Sequence, residues 1–248
     1  MITVCPFVVA LADPALALVG PAQEAPQFAP YVVMVLYRSG ADTSFCTASV
    51  IARNAVLTAA HCASDLLDTR VFFRGSQGKL ILFDLASIAV HPDYKPNASR
   101  QHQVSIDLAL LRLTEPLPAA FKSVELAKAD RIIAGQRYRI AGFGRGDEDT
   151  TGTSGVLRAG ILVAAGPKSN SLAWLVDPNG TGLGGCTGDS GAPIFRIDQP
   201  QLIAMAIRAK GSNGYSCGAV TEAVQISPQM RWIQETLHSW GTTWGMAQ

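Results

Sequence analysis

Short apolar or alternating stretches recur along this chain, separated by turn-forming residues. They are YVVMVLY (31–37), ASVIARNAVLTAA (48–60), VFF (71–73), LILFDLASIAV (80–90), DLALLRL (107–113), RYRIAGFG (137–144), GVLRAGILVA (155–164), APIFRI (192–197) and LIAMAIRA (202–209). β-Branched and aromatic residues are frequent in them, and Gly, Pro, Asn, Asp and Ser cluster between them, which predicts strands joined by turns. Many short strands at regular spacing predict an all-β sandwich or barrel. Only the end of the chain reads as helix. There Met230, Ile233, Leu237 and Trp240 fall on one face, with Ser227 as N-cap, Pro228 in the first turn and Gly241 at the stop. That helix is expected to pack and to carry no chemistry.

Composition narrows the class. At 248 residues and 48% hydrophobic content, the chain can bury a sizeable core. A formal net charge of +1 gives no electrostatic reason to expect nucleic acid or an anionic membrane as partner. No apolar run reaches the roughly 18 residues of a spanning helix, and no repeat of 20–50 residues is visible. The first 17 residues are apolar and end in Ala15-Leu16-Ala17, the small-x-small pattern of a signal-peptidase site. Residues 1–17 are therefore expected to be an export signal and 18–248 the mature domain. The alternative for this segment is a buried N-terminal strand. With Cys5 in the signal, four cysteines remain: Cys46, Cys62, Cys186 and Cys217. Four allow three pairings. The absence of CxxC argues against zinc, and an oxidising compartment favours two disulfides. The pairing Cys46–Cys62 with Cys186–Cys217 is local and closes one loop in each half. No metal or cofactor is expected.

Candidate chemistry begins at CTGDSGAP (186–193), where Ser190 stands between an aspartate and a glycine. It is either a turn serine or a nucleophile whose small neighbours free backbone N–H groups for a reacting atom. A nucleophilic serine needs a base. His61, at the end of CTASVIARNAVLTAAHC (46–62), follows an alternating apolar run and precedes a cysteine able to pin its loop. His91, His102 and His238 lie in a turn-like stretch, a polar loop and the closing helix. Asp107 opens the apolar run SIDLALLRL, where a carboxylate is costly unless it is paired. It either caps a turn or accepts a hydrogen bond from a His ring.

TAAHC, IDLALL and GDSGAP, in the order His, Asp, Ser, closely resemble the chymotrypsin/trypsin family of serine peptidases. An α/β-hydrolase would run Ser, Asp, His and would want Gly where Ala192 stands. HPDY before the Asp, AGFG in the family's G-W-G position and the helix near RWI agree. The resemblance spans about residues 18–240. It implies two six-stranded antiparallel β-barrels with a C-terminal α-helix: an N-terminal barrel (18–127) carrying His61 and Asp107, and a C-terminal barrel (128–248) carrying Ser190. Ser190 would be the nucleophile, His61 the base and Asp107 its orienter, with the N–H groups of Gly188 and Ser190 forming the oxyanion hole. Gly191 would leave room for substrate. Asp189 would pair with the amino group of a new N-terminus. The family's I-V-G-G corresponds here to Leu18-Val19-Gly20-Pro21, directly after Ala15-Leu16-Ala17, so signal peptidase itself would create that terminus.

For specificity, the resemblance assigns the pocket base to Gly184, with Gly185 beside it, which excludes the acidic base that selects Arg or Lys. The family's S-W-G strand maps near Ile207, Arg208 and Ala209. Arg208 either favours an acidic side chain or faces solvent, and Glu222 near the back wall would instead attract a basic one. No calcium-loop cluster of acids is present. The expected partner is a protein or peptide substrate, and the expected state is monomeric. Two alternatives remain: a catalytically silent binding scaffold, and an esterase-like hydrolase on the same fold.

Overall fold

A computed structural model describes residues 18–40, 42–63, 65–75, 78–98, 103–150 and 152–242. The expected export segment 1–17 and His102 lie outside the described residues. After the short β1 (Gln23–Glu24), seven strands form one antiparallel sheet: β2 (Val32–Ser39), β3 (Asp42–Ala52), β4 (Ala55–Thr58), β5 (Thr69–Arg74), β6 (Leu80–Phe83), β7 (Leu85–Val90) and β8 (Ala109–Leu113). Their order is β6-β5-β2-β3-β4-β8-β7. The outermost two, β6 and β7, are separated only by Asp84, so the run 80–90 bends there and curls the sheet round on itself. The sequence run 48–60 is two strands rather than one. Arg53 and Asn54 make a turn, and Val50 faces Val56 across the resulting hairpin.

The second half holds β9 (Glu125–Leu126), β10 (Arg137–Gly142), β11 (Arg158–Pro167), β12 (Leu172–Val176), β13 (Pro193–Phe195), β14 (Gln201–Gly211) and β15 (Gly218–Gln225). Hydrogen bonds run β11-β10-β13-β14-β15-β12, and β12 pairs back with β11, so six strands close a barrel. β12 and β15 have no counterpart among the strands that the sequence predicts. β12 is short, and β15 carries Thr221, Glu222 and Gln225 in its apolar run, all of them buried.

Tyr138, Ile140, Leu162, Leu175, Ile194 and Ile203 fill the interior of the second barrel. A larger cluster fills the first and runs on through Phe195, Met205 and Ile226 to Met230, Ile233 and Leu237 of α1 (Met230–Ser239). The chain thus has two cores, with the helix sealing the larger. At 25 cal/mol per Å², each fully buried Leu or Ile contributes about 2 kcal/mol. Ser227 does not cap the helix. It opens a 3-10 turn, Ser227–Gln229, and its hydroxyl donates to the Lys128 carbonyl instead. Gly241 ends the helix as expected, at φ 64°. His91 is buried edge-on against Trp232 of α1, with ring centroids 4.7 Å apart. Its imidazole pKa is lowered, chiefly by burial.

Candidate active site

Strand register brings the first two candidate residues together. Thr58, the last residue of β4, faces Ala109, the first of β8. His61 sits three residues past Thr58 in a 3-10 turn (Ala60–Cys62), and Asp107 sits two before Ala109, so both emerge at the same end of the strand pair. The His61 Nδ1–H donates to Asp107 Oδ2 at 2.7 Å, and the His61 backbone N–H donates to Asp107 Oδ1 at 3.0 Å. Both carboxylate oxygens are therefore committed to one residue. The neutral imidazole is held in the tautomer that leaves a lone pair on Nε2. Asp107 is buried, flanked by buried Ile106 and Leu108. Its charge is also felt by Tyr94, whose hydroxyl pKa is raised first by burial and then by this carboxylate. The Cys46–Cys62 disulfide fixes the His61 turn to β3, so its sulfurs are spent on each other.

Ser190 lies in the turn that enters β13. His61, Asp107, Gly188 and Ser190 all line one cavity of about 1030 Å³. The loop 186–190 is held from several directions. Cys186 is disulfide-bonded to Cys217. The Thr187 carbonyl accepts from the Arg145 N–H at 2.8 Å. A trans peptide aims its N–H opposite its carbonyl, so the Gly188 N–H faces away from Arg145. Among the described residues, neither the Gly188 nor the Ser190 N–H is given to a protein acceptor. Gly188 has φ 95°, and a Cβ there would lie 2.6 Å from the Phe45 ring, so only glycine fits.

Thr47, on β3 of the first barrel, is the residue that sequence reasoning missed. Its hydroxyl donates to the Gly188 carbonyl at 2.9 Å and accepts from the Phe143 N–H at 3.1 Å. Its backbone N–H donates to the Ser190 carbonyl at 2.9 Å. One fully buried threonine thus grips both ends of the Gly188–Ser190 segment across the barrel interface. The only available signal was a hydroxyl in an otherwise apolar run beside Cys46. Gly191 has a different role from the one expected. A Cβ there would meet the Thr47 carbonyl at 2.0 Å and Thr58 Oγ1 at 2.3 Å, so its missing side chain makes room for the first barrel, not for substrate.

Asp189 is wholly buried, and its carboxylate accepts from the Gly144 N–H at 2.9 Å and the Cys186 N–H at 3.0 Å. Glycines in AGFG make the space. A Cβ on Gly142 would lie 2.2 Å from Asp189 Oδ1, and one on Gly144 2.4 Å from its Cγ. Burial pushes the carboxyl up to about 7, partly offset by the two N–H donors. No basic side chain pairs with Asp189 among the described residues. Leu18 is also fully buried, its carbonyl accepting from Arg158 at 3.3 Å, while Val19 bridges to Gly184. No hydrogen bond joins Leu18 to Asp189 in the continuous chain.

Of the positions expected for the specificity pocket, Arg208 lines the cavity. Gly184 and Gly185 do not. A Cβ on Gly184 would come within 3.0 Å of the Gly218 Cα, and the Gly185 N–H donates to Thr221 Oγ1 at 3.0 Å. Glu222 is buried, held by Lys168 at 3.1 Å with Arg208 at 3.8 Å.

One closed six-stranded barrel, a curled seven-stranded sheet that forms a half-barrel rather than the expected second six-stranded barrel, a closing helix and a polar cleft define a chymotrypsin-like protein. The sequence profile of the Trypsin family matches residues 18–233, so the chain belongs to the trypsin family of serine endopeptidases. Chymotrypsin of Phaedon cochleariae is 23% identical over 239 residues, covering 90% of this chain and 83% of that protein. Among solved structures, the mouse brain serine protease neuropsin superimposes with a TM-score of 0.71 at 21% identity, covering 88% of this chain and 99% of that one. An inactivated protease paralogue of the scabies mite does so with a TM-score of 0.69 at 20% identity, covering 89% and 99%. At such identities the structural likeness speaks for the fold alone. Protein or peptide substrates follow from the family. The described residues contain two disulfides and no helix long and apolar enough to cross a membrane.

Proposed function

We propose that this protein is an exported serine endopeptidase that cleaves peptide bonds through a Ser190–His61–Asp107 triad and an acyl-enzyme. The carrying observation is the doubly bonded His61–Asp107 pair opening onto the same cavity as Ser190 and the unspent Gly188 and Ser190 N–H groups. Ser190 Oγ attacks the scissile carbonyl carbon as its proton passes to His61 Nε2. The two N–H groups take the developing oxyanion. The C–N bond then breaks, and His61 returns the proton to the leaving amine. Water attacks the resulting ester, giving its proton to His61, and the acid product leaves as Ser190 is regenerated. Donors of this kind contribute roughly 3–4 kcal/mol each in the transition state.

Export and activation are part of the same reading. Cleavage after Ala17 would leave Leu18 with a free ammonium, and the buried Asp189, which has no cation partner among the described residues, is the group such an ammonium would stabilise. Two disulfides suit an oxidising compartment. The test is fluorophosphonate labelling of the exported protein, with mass mapping of the labelled residue and of the N-terminus. Label on Ser190, lost in Ser190→Ala, in a chain starting at Leu18 is the expected result. No label on a chain that does start at Leu18 would refute the triad and favour a silent scaffold, a fate the scabies-mite paralogue's fold accommodates. A mature terminus elsewhere would refute activation by signal peptidase.

A further inference from the structure

The wall of the cleft built from β12, β15 and β14 carries a group of charges that the acyl chemistry does not use. Trp174, Glu222 and Arg208 are cross-strand neighbours on these three adjacent strands: Trp174 faces Glu222, and Glu222 faces Arg208. Successive partners across a sheet share a face. Lys168, Arg208, Lys210 and Glu222 all line the cavity that holds Ser190.

The Glu222 carboxylate is nearly fully buried, with two cations beside it, a hydrogen bond at Oε1 and none at Oε2. Lys168 Nζ lies 3.1 Å from Oε1, and an Arg208 guanidinium nitrogen lies 3.8 Å from Oε2. A basic substrate side chain approaching Glu222 would meet both of those cations first. The opposite holds for an acid. Arg208 is balanced electrostatically by Glu222, yet at 3.8 Å its N–H groups are not engaged. Among the described residues they make no hydrogen bond, and the side chain remains 39% exposed. Five donors in a fixed fork suit a carboxylate. Lys210 stands beside it, 5.6 Å from the centre of the Trp174 ring on which Lys168 also rests. Across the whole lining, described basic side chains outnumber carboxylates by five to two, and one of those carboxylates, Asp107, is committed to His61. The chain as a whole has a net charge of only +1, so the cleft lining is more positive than the rest of the molecule.

From this arrangement we infer that the enzyme selects acidic peptide substrates, and that Arg208, set by Glu222 and supported by Lys168 and Lys210, is the main specificity-determining residue. The inference rests on the cleft being the peptidase site proposed above. Glu222 acts as a positioning residue: it holds the guanidinium at the cleft wall and leaves its donors to the substrate.

The test uses fluorogenic peptides that differ only in Glu, Gln or Lys, walked through each position flanking the cleaved bond. Ser190 labelling is measured in the same preparations. The expected result is a kcat/KM about 10- to 100-fold higher for Glu than for Gln at one or more positions, the scale of a charge-assisted contact. The ratio should shrink at about 1 M salt, where the Debye length is roughly 3 Å. Arg208→Gln should reduce it to about 2 or less, and Arg208→Lys should leave an intermediate value, since it keeps the charge but not the fork. Unfolding midpoints verify that both variants fold. Cleavage with no Glu preference, or a preference that survives Arg208→Gln, would overturn the inference and leave the peptidase reading intact. A preference for Lys would overturn it in favour of Glu222 as the direct contact. Failure both to cleave and to label Ser190 would overturn the peptidase reading and this inference with it. If Ser190 labels but no peptide in the set is cleaved, protection of labelling by each Glu peptide over its Gln counterpart decides the same ratio.

Discussion

Replacing Thr47 by valine isolates what the Thr47 hydroxyl contributes to the loop 186–190. Valine keeps the shape and the β-branch but removes the hydroxyl. In the native chain that hydroxyl donates to the Gly188 carbonyl at 2.9 Å and accepts from the Phe143 N–H at 3.1 Å, at a residue with no solvent exposure. The substitution therefore deletes two hydrogen bonds and leaves a buried acceptor and a buried donor without partners. Each such orphan costs about 1–3 kcal/mol. Some relaxation is available to Phe143, which keeps slight exposure, so about 2–4 kcal/mol is expected in total. For a chain of this size, 1 kcal/mol corresponds to roughly 2–4 °C in Tm, which puts the loss at about 5–12 °C. The backbone bond from Thr47 N–H to the Ser190 carbonyl survives the substitution. Ser190 thus stays tethered while Gly188 is freed, and fluorophosphonate labelling should slow by about tenfold, part of the worth of one oxyanion donor. Calorimetry and labelling kinetics on the mature protein measure both effects. A Tm within 1–2 °C of native together with an unchanged labelling rate would refute the claim that this hydroxyl holds the loop.

Three other outcomes follow from the same geometry. Gly188→Ala must accommodate a side chain at φ 95° against the Phe45 ring, and should lower the labelling rate at least 100-fold; near-native labelling would show that the Gly188 N–H is not used. Removing the Cys186–Cys217 disulfide, whose partners are 31 residues apart, should cost about 4 kcal/mol by loop entropy, read as a fall in the urea midpoint of a double Cys→Ser variant. Asp189 gives a pH signature: its folded pKa, pushed up to about 7, exceeds the unfolded 3.8. The folded state then holds the extra proton between those values, so in a chain uncut before Leu18 the contribution of this group is greatest at low pH and falls by up to about 4 kcal/mol as pH rises from 4 to 7. Cleavage at Leu18 supplies the counter-charge and should flatten that slope in urea titrations; identical slopes in both forms would refute the ion pair.

The strands that were legible in the sequence are those whose environment is simple. Runs such as 31–37 and 107–113 are buried with few interruptions, and their composition alone forces them into sheets. β15 was hidden because its polar residues meet distant partners: Thr221 meets Gly185, Glu222 Oε1 meets Lys168, and Gln225 meets the Ile132 N–H. Local chemistry likewise revealed what depends on residue type at fixed spacing, namely a serine among glycines, a histidine beside a cysteine, and an acid opening an apolar strand. The contact that joins His61 to Asp107 at the end of the β4–β8 pair and the Thr47 bridge to Gly188 span 46 and 141 residues of chain. Such contacts leave no periodic trace, because either partner alone is an ordinary buried polar residue. The role of Arg208 is of the same kind: in sequence it reads first as a solvent-facing arginine, and only the sheet register that sets Glu222 opposite it fixes where its charge lies. Covalent identity and short-range pattern were written in the chain, whereas every cross-barrel relation depended on which strands found each other in the fold.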